Sequence, residues 1–283
     1  MKKFLLVAIN AKYIHSNLAI RCLKSAAGAY RDNVELAEFT INNQIADILR
    51  GIYEAKPDYI GISCYIWNME TVDKIIHNIS VICPDVPIWL GGPEVSYNAR
   101  QVTDKYPEIA GVIKGEGEYI FNRLLKCYME DDIDGICNIP GITTSTVDNS
   151  CPEPVDLSSY DMPYESDGGI DGCRNKIIYY ESGRGCPFSC SYCLSSVDKK
   201  VRFRNIDIVK KDLKYFIDNE AAQVKFVDRT FNCKKSHAME IWKFIKENDK
   251  GVTNFHFEIA ADILDEEEIS LLNSMRKIGR AHV

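Results

Sequence analysis

Between Lys3 and about Met129, apolar, β-branched runs of strand length alternate with stretches whose apolar residues recur every three or four positions. The runs Phe4–Ile9, Val34–Phe39, Tyr59–Cys64, Ile88–Leu90 and Val112–Lys114 predict strands. The stretches 17–30, 44–55, 69–82, 96–106 and 118–129 predict helices. Strands that are apolar throughout are buried on both faces, which requires a parallel sheet with helices on either side. Residues 1–129 are therefore expected to form an α/β, flavodoxin-like (Rossmann-type) domain of strand order 2-1-3-4-5, with ligands at the carboxyl ends of its strands.

Helical periodicity ends at the acidic break Glu130-Asp131-Asp132-Ile133-Asp134. Pro140, Pro152, Pro154 and Pro163 mark 130–175 as an irregular linker with room for one hairpin. Order returns with a strand at Ile177–Tyr180, which runs straight into Gly183-Arg184-Gly185-Cys186. A helix at 206–219, a strand at Val224–Val227, a helix at 236–247, a strand at Phe255–Ile259 and a helix at 265–276 follow. A βα repeat with polar residues at the strand ends reads as part of a barrel, so 176–283 is expected to hold about three βα units.

The 283 residues are 46% hydrophobic and 27% charged, ordinary globular composition that excludes a disordered chain. The apolar runs are too short to predict a membrane span, and Met1-Lys2-Lys3 followed by one strand-length run is no signal peptide, so a cytoplasmic protein is expected. A net charge of −7 argues against a dedicated nucleic-acid binder. The basic cluster Lys199, Lys200, Arg202 and Arg204 reads as a solvated lead-in to the next helix.

Eleven cysteines, an odd number, in a chain of this size argue against a disulfide framework. Cys22, Cys64, Cys83 and Cys127 sit in apolar surroundings and read as small buried hydrophobes. Cys186, Cys190 and Cys193 fall within eight residues, so one loop can wrap three thiolates around one metal centre. A structural zinc site with Cys173 as fourth ligand is the rival, although zinc favours paired CxxC spacings. Gly91-Gly92-Pro93 and Gly115-Glu116-Gly117-Glu118 follow two strands, where glycine serves either close approach of a ligand or a tight turn. No GxGxxG follows the first strand. His77, His237 and His256 have no partner spacing, and Met69 and Met239 read as core.

The run Cys186-Pro187-Phe188-Ser189-Cys190-Ser191-Tyr192-Cys193, on a loop after a first strand, resembles the CxxxCxxC signature of the radical S-adenosylmethionine enzymes. The resemblance implies a 4Fe–4S cluster on Cys186, Cys190 and Cys193, with one iron open to S-adenosylmethionine. It places Tyr192 near the adenine, Asp228 at the methionine end, and Glu258 or Asp262 against substrate or ribose. Helix N-capping is the competing reading for Asp228 and Asp262. The fold implied is the first half of a partial (β/α)6 TIM-like barrel. The final Ile278-Gly279-Arg280-Ala281-His282-Val283 reads like a translated sequencing adapter, so a truncated fragment with an unpaired barrel edge and poor folding is expected.

The first half is similar to the cobalamin-binding domain, whose pattern is DxHxxG, then SxL, then GG. Tyr13-Ile14-His15-Ser16-Asn17-Leu18, Ser63-Cys64-Tyr65 and Gly91-Gly92 occupy these places, with Tyr13, Leu18 and Tyr65 departing from the pattern. The resemblance implies that Ser63, Gly91 and Gly92 line the slot for the nucleotide tail. A neutral Tyr13 in place of the aspartate behind the histidine implies that His15 leaves the cobalt unligated. Both halves together resemble cobalamin-binding radical S-adenosylmethionine proteins. Reductive cleavage to a deoxyadenosyl radical is implied, with methyl transfer to an unactivated carbon. The alternatives are a cyclisation or rearrangement with an unused cobalamin domain, or a non-enzymatic iron–sulfur or zinc protein. A small-molecule substrate and an electron donor such as flavodoxin or ferredoxin are the expected partners, and no membrane is involved.

Overall fold

The computed structural model describes residues 2–165 and 168–275. It divides into two compact units, Met1–Val155 with Asp161–Asp167 and Asp156–Tyr160 with Gly168–Val283.

The first unit is a six-stranded sheet built from β1 (Phe4–Asn10), β2 (Val34–Thr40), β3 (Tyr59–Ser63), β4 (Ile88–Gly91), β5 (Gly111–Ile113) and β6 (Ile142–Thr143). Its order is β2-β1-β3-β4-β5-β6, parallel except for β6, which runs antiparallel to β5. The expected order 2-1-3-4-5 is present, extended by β6 from within the stretch expected to be irregular; an isolated bridge between Thr143 and Asp148 forms the hairpin there. Every residue of β1 is buried because alternate side chains enter different cores. Leu5, Val7 and Ile9 pack with α2 (Ile45–Glu54), α3 (Met69–Ile82) and α5 (Ala99–Lys105). Phe4, Leu6 and Ala8 pack with α1 (Leu18–Ala26) and α6 (Gly117–Met129). Burying each such side chain contributes about 1.5–3 kcal/mol, which is why β1 is apolar on both faces up to Asn10.

Two expected helices are shorter than their periodicity suggested. The first stops at Ala26 and tightens into a 3-10 turn over Gly28–Asn33. The stretch 96–106 divides into α4 (Pro93–Ser96) and α5, because Asn98 (φ −127°, ψ 30°) leaves the helical region while Pro93 starts α4 earlier. Cys22 and Cys64 are buried as expected, whereas Cys83 and Cys127 are only partly so, Cys83 lying at the end of α3.

The second unit holds a parallel sheet of order β11-β10-β7, from β7 (Ile178–Tyr180), β10 (Gln223–Phe226) and β11 (Asn254–His256). Its helices are α7 (Ile206–Asp218), α8 (Lys235–Asn248) and α9 (Glu266–Asn273), the last opened by an Asp265–Glu268 capping box. Tyr180, Phe216, Phe226, Phe231, Trp242 and Phe257 form an aromatic core of edge-to-face and tilted pairs. A separate antiparallel ladder joins β8 (Gly183–Arg184) to β9 (Arg202–Phe203).

Two expectations are corrected here. The strand predicted to reach Ile259 ends at His256, because the chain beyond it bonds to the loop after β10. Phe231 N–H donates to the Glu258 carbonyl (2.9 Å), and the Asn232 amide both donates to and accepts from Ala260 (2.9 Å each). Glu258 therefore lies past the strand, and Asp262 sits in a 3-10 turn, Ala261–Ile263. The basic cluster is not uniformly solvated, since Arg204 is 3% exposed, paired with Asp212 at 3.2 Å and bonded to the carbonyls of Leu157 and Tyr160. No helix among the described residues is long and apolar enough to cross a membrane. Residues 278–283 lie outside the described residues.

Candidate functional site

In the first unit the loops at the carboxyl ends of β1, β3 and β4 are braced from beneath. Asn10, the last residue of β1, donates to the His15 carbonyl (3.1 Å) and to Glu38 (2.9 Å). Glu38 pairs with buried Arg21 and accepts the Asn17 N–H, while the Asn17 side chain caps α1. The backbone of the His15 loop is thus fixed by buried polar groups. Asn68 does the same for the loop after β3. It is fully buried, accepts from the Tyr65 N–H (2.8 Å) and donates to the carbonyls of Ser63 (2.8 Å) and Ile9 (3.1 Å). Neither Asn10 nor Asn68 stood out in the sequence, where each reads as a common turn residue.

The expected tail-slot residues come together here. Ser63 faces Gly91 in the β3–β4 register, and its hydroxyl makes a long bond to the Val7 carbonyl (3.5 Å). The two glycines differ in role. Gly92 has φ +110°, and a Cβ there would lie 2.5 Å from the Cys64 carbonyl oxygen, so the packing of the two loops itself demands glycine. At Gly91 a Cβ would meet only ordinary contacts, 3.6 Å from the Ile113 carbonyl oxygen, so the packing itself does not demand glycine there. Cys64, fully buried, has its thiol pushed up to about 12 by burial and is chemically inert. Tyr13, Ile14, Ile66, Trp67 and Tyr97 are exposed on loops at this end of the sheet, with Trp67 stacked on Tyr65 (4.4 Å, 7°). A run of exposed apolar groups on ligand-end loops is the mark of a binding surface.

In the second unit the cysteine loop hangs from the β8–β9 ladder. Cys186 N–H donates to the Asp198 carbonyl (2.9 Å), tying the start of the loop to its end. Gly185, at φ +98°, lets the two arms cross where a Cβ would come 2.7 Å from the Lys200 carbonyl oxygen. Cys186 is buried, Cys193 half-buried and Cys190 exposed. Hydrogen bonds from the Ser195 backbone and hydroxyl, with the Arg229 charge, hold the Cys193 thiol below its ordinary range. Among the described residues no three Cys, His, Asp or Glu side chains converge on one point, and the buried Cys173 joins no such group either. The donor set nonetheless fits an iron–sulfur centre: three thiols share one loop, and the thiolate, which is the metal-binding form, is stabilised at Cys193. Tyr192, in the same loop, is 91% exposed and presents its ring to solvent.

Asp228 follows β10 and is buried at 4% exposure, facing Ser182 instead of open surface. One carboxylate oxygen accepts the Ser182 N–H (2.9 Å) and the other its hydroxyl (2.7 Å). Burial pushes this carboxyl up to about 7 against those hydrogen bonds. It caps no helix, since the N-cap of α8 is Lys234. His237 on α8 completes the group, Nε2 lying 3.3 Å from Ser182 Oγ, with its pKa pushed down to about 4 by burial and by Lys234. Two residues beyond Asp228, Thr230 Oγ1 lies 3.5 Å from Cys186 Sγ. Glu258 is partly exposed and ion-paired with Lys225 at 3.0 Å. The roles of His237 and Thr230 were hidden in sequence because their partners are 55 and 44 residues away.

The B12 binding domain profile matches residues 5–125. An uncharacterized methyltransferase of Pyrococcus horikoshii is 28% identical over 222 residues, covering 74% of this chain and 47% of its own length. The cobalamin-dependent radical SAM methyltransferase TokK of Streptomyces tokunonensis is 30% identical over 161 residues, covering 53% of this chain and 23% of its own. The chain thus spans less than half the length of either relative. Among solved structures, the radical S-adenosylmethionine methyltransferase TsrM of Kitasatospora setae, with cobalamin and a 4Fe–4S cluster bound, superposes with a TM-score of 0.71 at 18% identity. That match covers 98% of this chain and 58% of TsrM, and it shows a shared fold. The chain carries a B12-binding domain in its first half and is homologous to the cobalamin-dependent radical SAM methyltransferases.

Proposed function

We propose that this chain is part of a cobalamin-dependent radical S-adenosylmethionine enzyme that methylates an unactivated carbon of a small molecule. The observation that carries the reading is the loop of Cys186, Cys190 and Cys193, slung from its own ladder after the first strand of the second unit. When bound, the cluster, S-adenosylmethionine and cobalamin supply electron transfer, radical formation and a methyl group. The protein's part is to hold, orient and shield.

Cys186, Cys190 and Cys193 would hold the cluster, and the Ser195 N–H and hydroxyl favour the thiolate of Cys193. Tyr192 offers a flat, exposed ring for the adenine. Glu258, with Asp262 as the alternative, supplies a carboxylate to ribose or substrate. Asp228 braces the loop through Ser182, and its oxygens, each able to accept a second hydrogen bond, serve the methionine end of S-adenosylmethionine. In the first unit, Ser63, Gly91 and Gly92 line the slot for the nucleotide tail, and the exposed apolar loops around Tyr13 and Trp67 cover the corrin. An electron donor such as flavodoxin or ferredoxin would be the protein partner, and a small molecule the substrate.

The test is anaerobic reconstitution with iron, sulfide and cobalamin, followed by S-adenosylmethionine and dithionite, with mass spectrometry for deoxyadenosine and methylated products. A brown protein that binds cobalamin and forms both supports the reading. A colourless zinc protein that leaves S-adenosylmethionine intact overturns it.

A further inference from the structure

The hydroxyl of Thr230 is a buried polar group with a single hydrogen-bond partner among the described residues, the sulfur of Cys186 at 3.5 Å. Buried hydroxyls are nearly always satisfied, so this contact fixes where the Thr230 proton goes. In the free protein either atom can donate. Once Cys186 is an iron-bound thiolate it has no proton to give, and the hydroxyl must donate to sulfur. A hydrogen bond to a ligating sulfur withdraws electron density and favours the reduced, more negative cluster.

The backbone around the pair is held firmly enough for such a bond to persist. Asp228, two residues before Thr230, grips Ser182, four residues before Cys186, through both carboxylate oxygens. His237 touches the same Ser182 hydroxyl from α8. Behind Thr230, Phe231 N–H is bonded to the Glu258 carbonyl and the Asn232 side chain to Ala260. Both sides of the Thr230–Cys186 contact are therefore anchored within four residues.

We infer that Thr230 is a positioning residue that sets the reduction potential of the cluster by donating a hydrogen bond to the Cys186 thiolate. The inference rests on the cluster reading of the preceding subsection. Its test is a potentiometric titration, followed by electron paramagnetic resonance, of the reconstituted full chain as wild type, Thr230→Val, Thr230→Ala and Thr230→Ser. The Val and Ala variants are expected to keep their iron but to be harder to reduce. At fixed ambient potential the reduced-to-oxidised ratio should fall about tenfold, which is about 59 mV for a one-electron couple. The Ser variant, which keeps the hydroxyl, is expected to return towards wild type. Loss of iron in Val and Ala but not in Ser overturns the inference, because the hydroxyl would then hold the cluster in place and not set its potential. Unchanged potentials in Val and Ala overturn the inference, as does a Ser variant no better than Val. A wild-type chain that takes up no iron overturns the cluster reading itself, and this inference with it.

Discussion

Asp228→Asn keeps the size of the side chain and an acceptor for the Ser182 N–H while removing the charge. The wild-type carboxyl is pushed from 3.8 to about 7 by burial, with Glu181 adding to the rise and the Ser182 bonds opposing it. As pH rises above 3.8 the unfolded chain ionises first and the folded chain resists, so the folded state loses stability until it too ionises near 7. At about 1.36 kcal/mol per unit, the loss from this group between about pH 4.5 and about pH 7.5 is about 3 kcal/mol. His237 works in the opposite sense. Its depressed pKa keeps it neutral when folded, so its contribution is present above 6.5 and lost as pH falls towards 4. The two slopes oppose one another in wild type, and the Asn variant leaves that of His237 uncovered. Urea denaturation followed by far-ultraviolet circular dichroism, anaerobic and reducing, gives both stabilities across this range. The variant should gain about 3 kcal/mol relative to wild type between the acid and the alkaline end. A difference that stays constant with pH refutes a buried, protonated Asp228.

Cys186→Ala, Cys190→Ala or Cys193→Ala should each abolish iron uptake and deoxyadenosine formation, while Cys173→Ala should keep both, as read by iron analysis and mass spectrometry. Gly91→Val should block cobalamin binding without unfolding the first unit, because a Cβ there meets only ordinary contacts; unchanged affinity by absorbance titration would remove the slot. His15→Ala should leave the cob(II)alamin paramagnetic resonance spectrum unaltered, and loss of nitrogen splitting in the variant would make His15 a cobalt ligand. Asn68→Ala removes three hydrogen bonds made by a fully buried side chain and should cost about 2–4 kcal/mol in urea denaturation, with faster hydrogen exchange at Tyr65.

Strand order in the first unit was legible because β1 is buried along its whole length and β3 and β4 nearly so, and such runs call for a parallel sheet with helical crossovers, whose common orders are few. The cysteine spacing was legible for a similar reason, since all three thiols are local to one loop. What escaped depends on pairings between distant residues. The β8–β9 ladder joins Gly183 to Phe203 through two-residue strands too short to carry any periodicity. Arg204 looked like one more surface cation until Asp212 and two carbonyls near residue 160 enclosed it. Asp228 was read from its place after a strand, which says where the Cα goes but not that Ser182 bonds to both oxygens.

The burial of Arg204 bears on where this chain can be cut. Its guanidinium takes carbonyl oxygens from Leu157 and Tyr160, which places 156–160 in the second unit while 161–165 stays with the first. The natural seam is therefore not a single point but a thread passing back and forth. A fragment begun at residue 176, where order resumes in the sequence, would leave a buried cation with Asp212 as its ionic partner and without those two acceptors. Removing part of such a buried network is strongly destabilising. An autonomous second unit has to carry its own short segment from Asp156 onward, and a fusion or dissection that ignores this would fail through one arginine far from any cofactor.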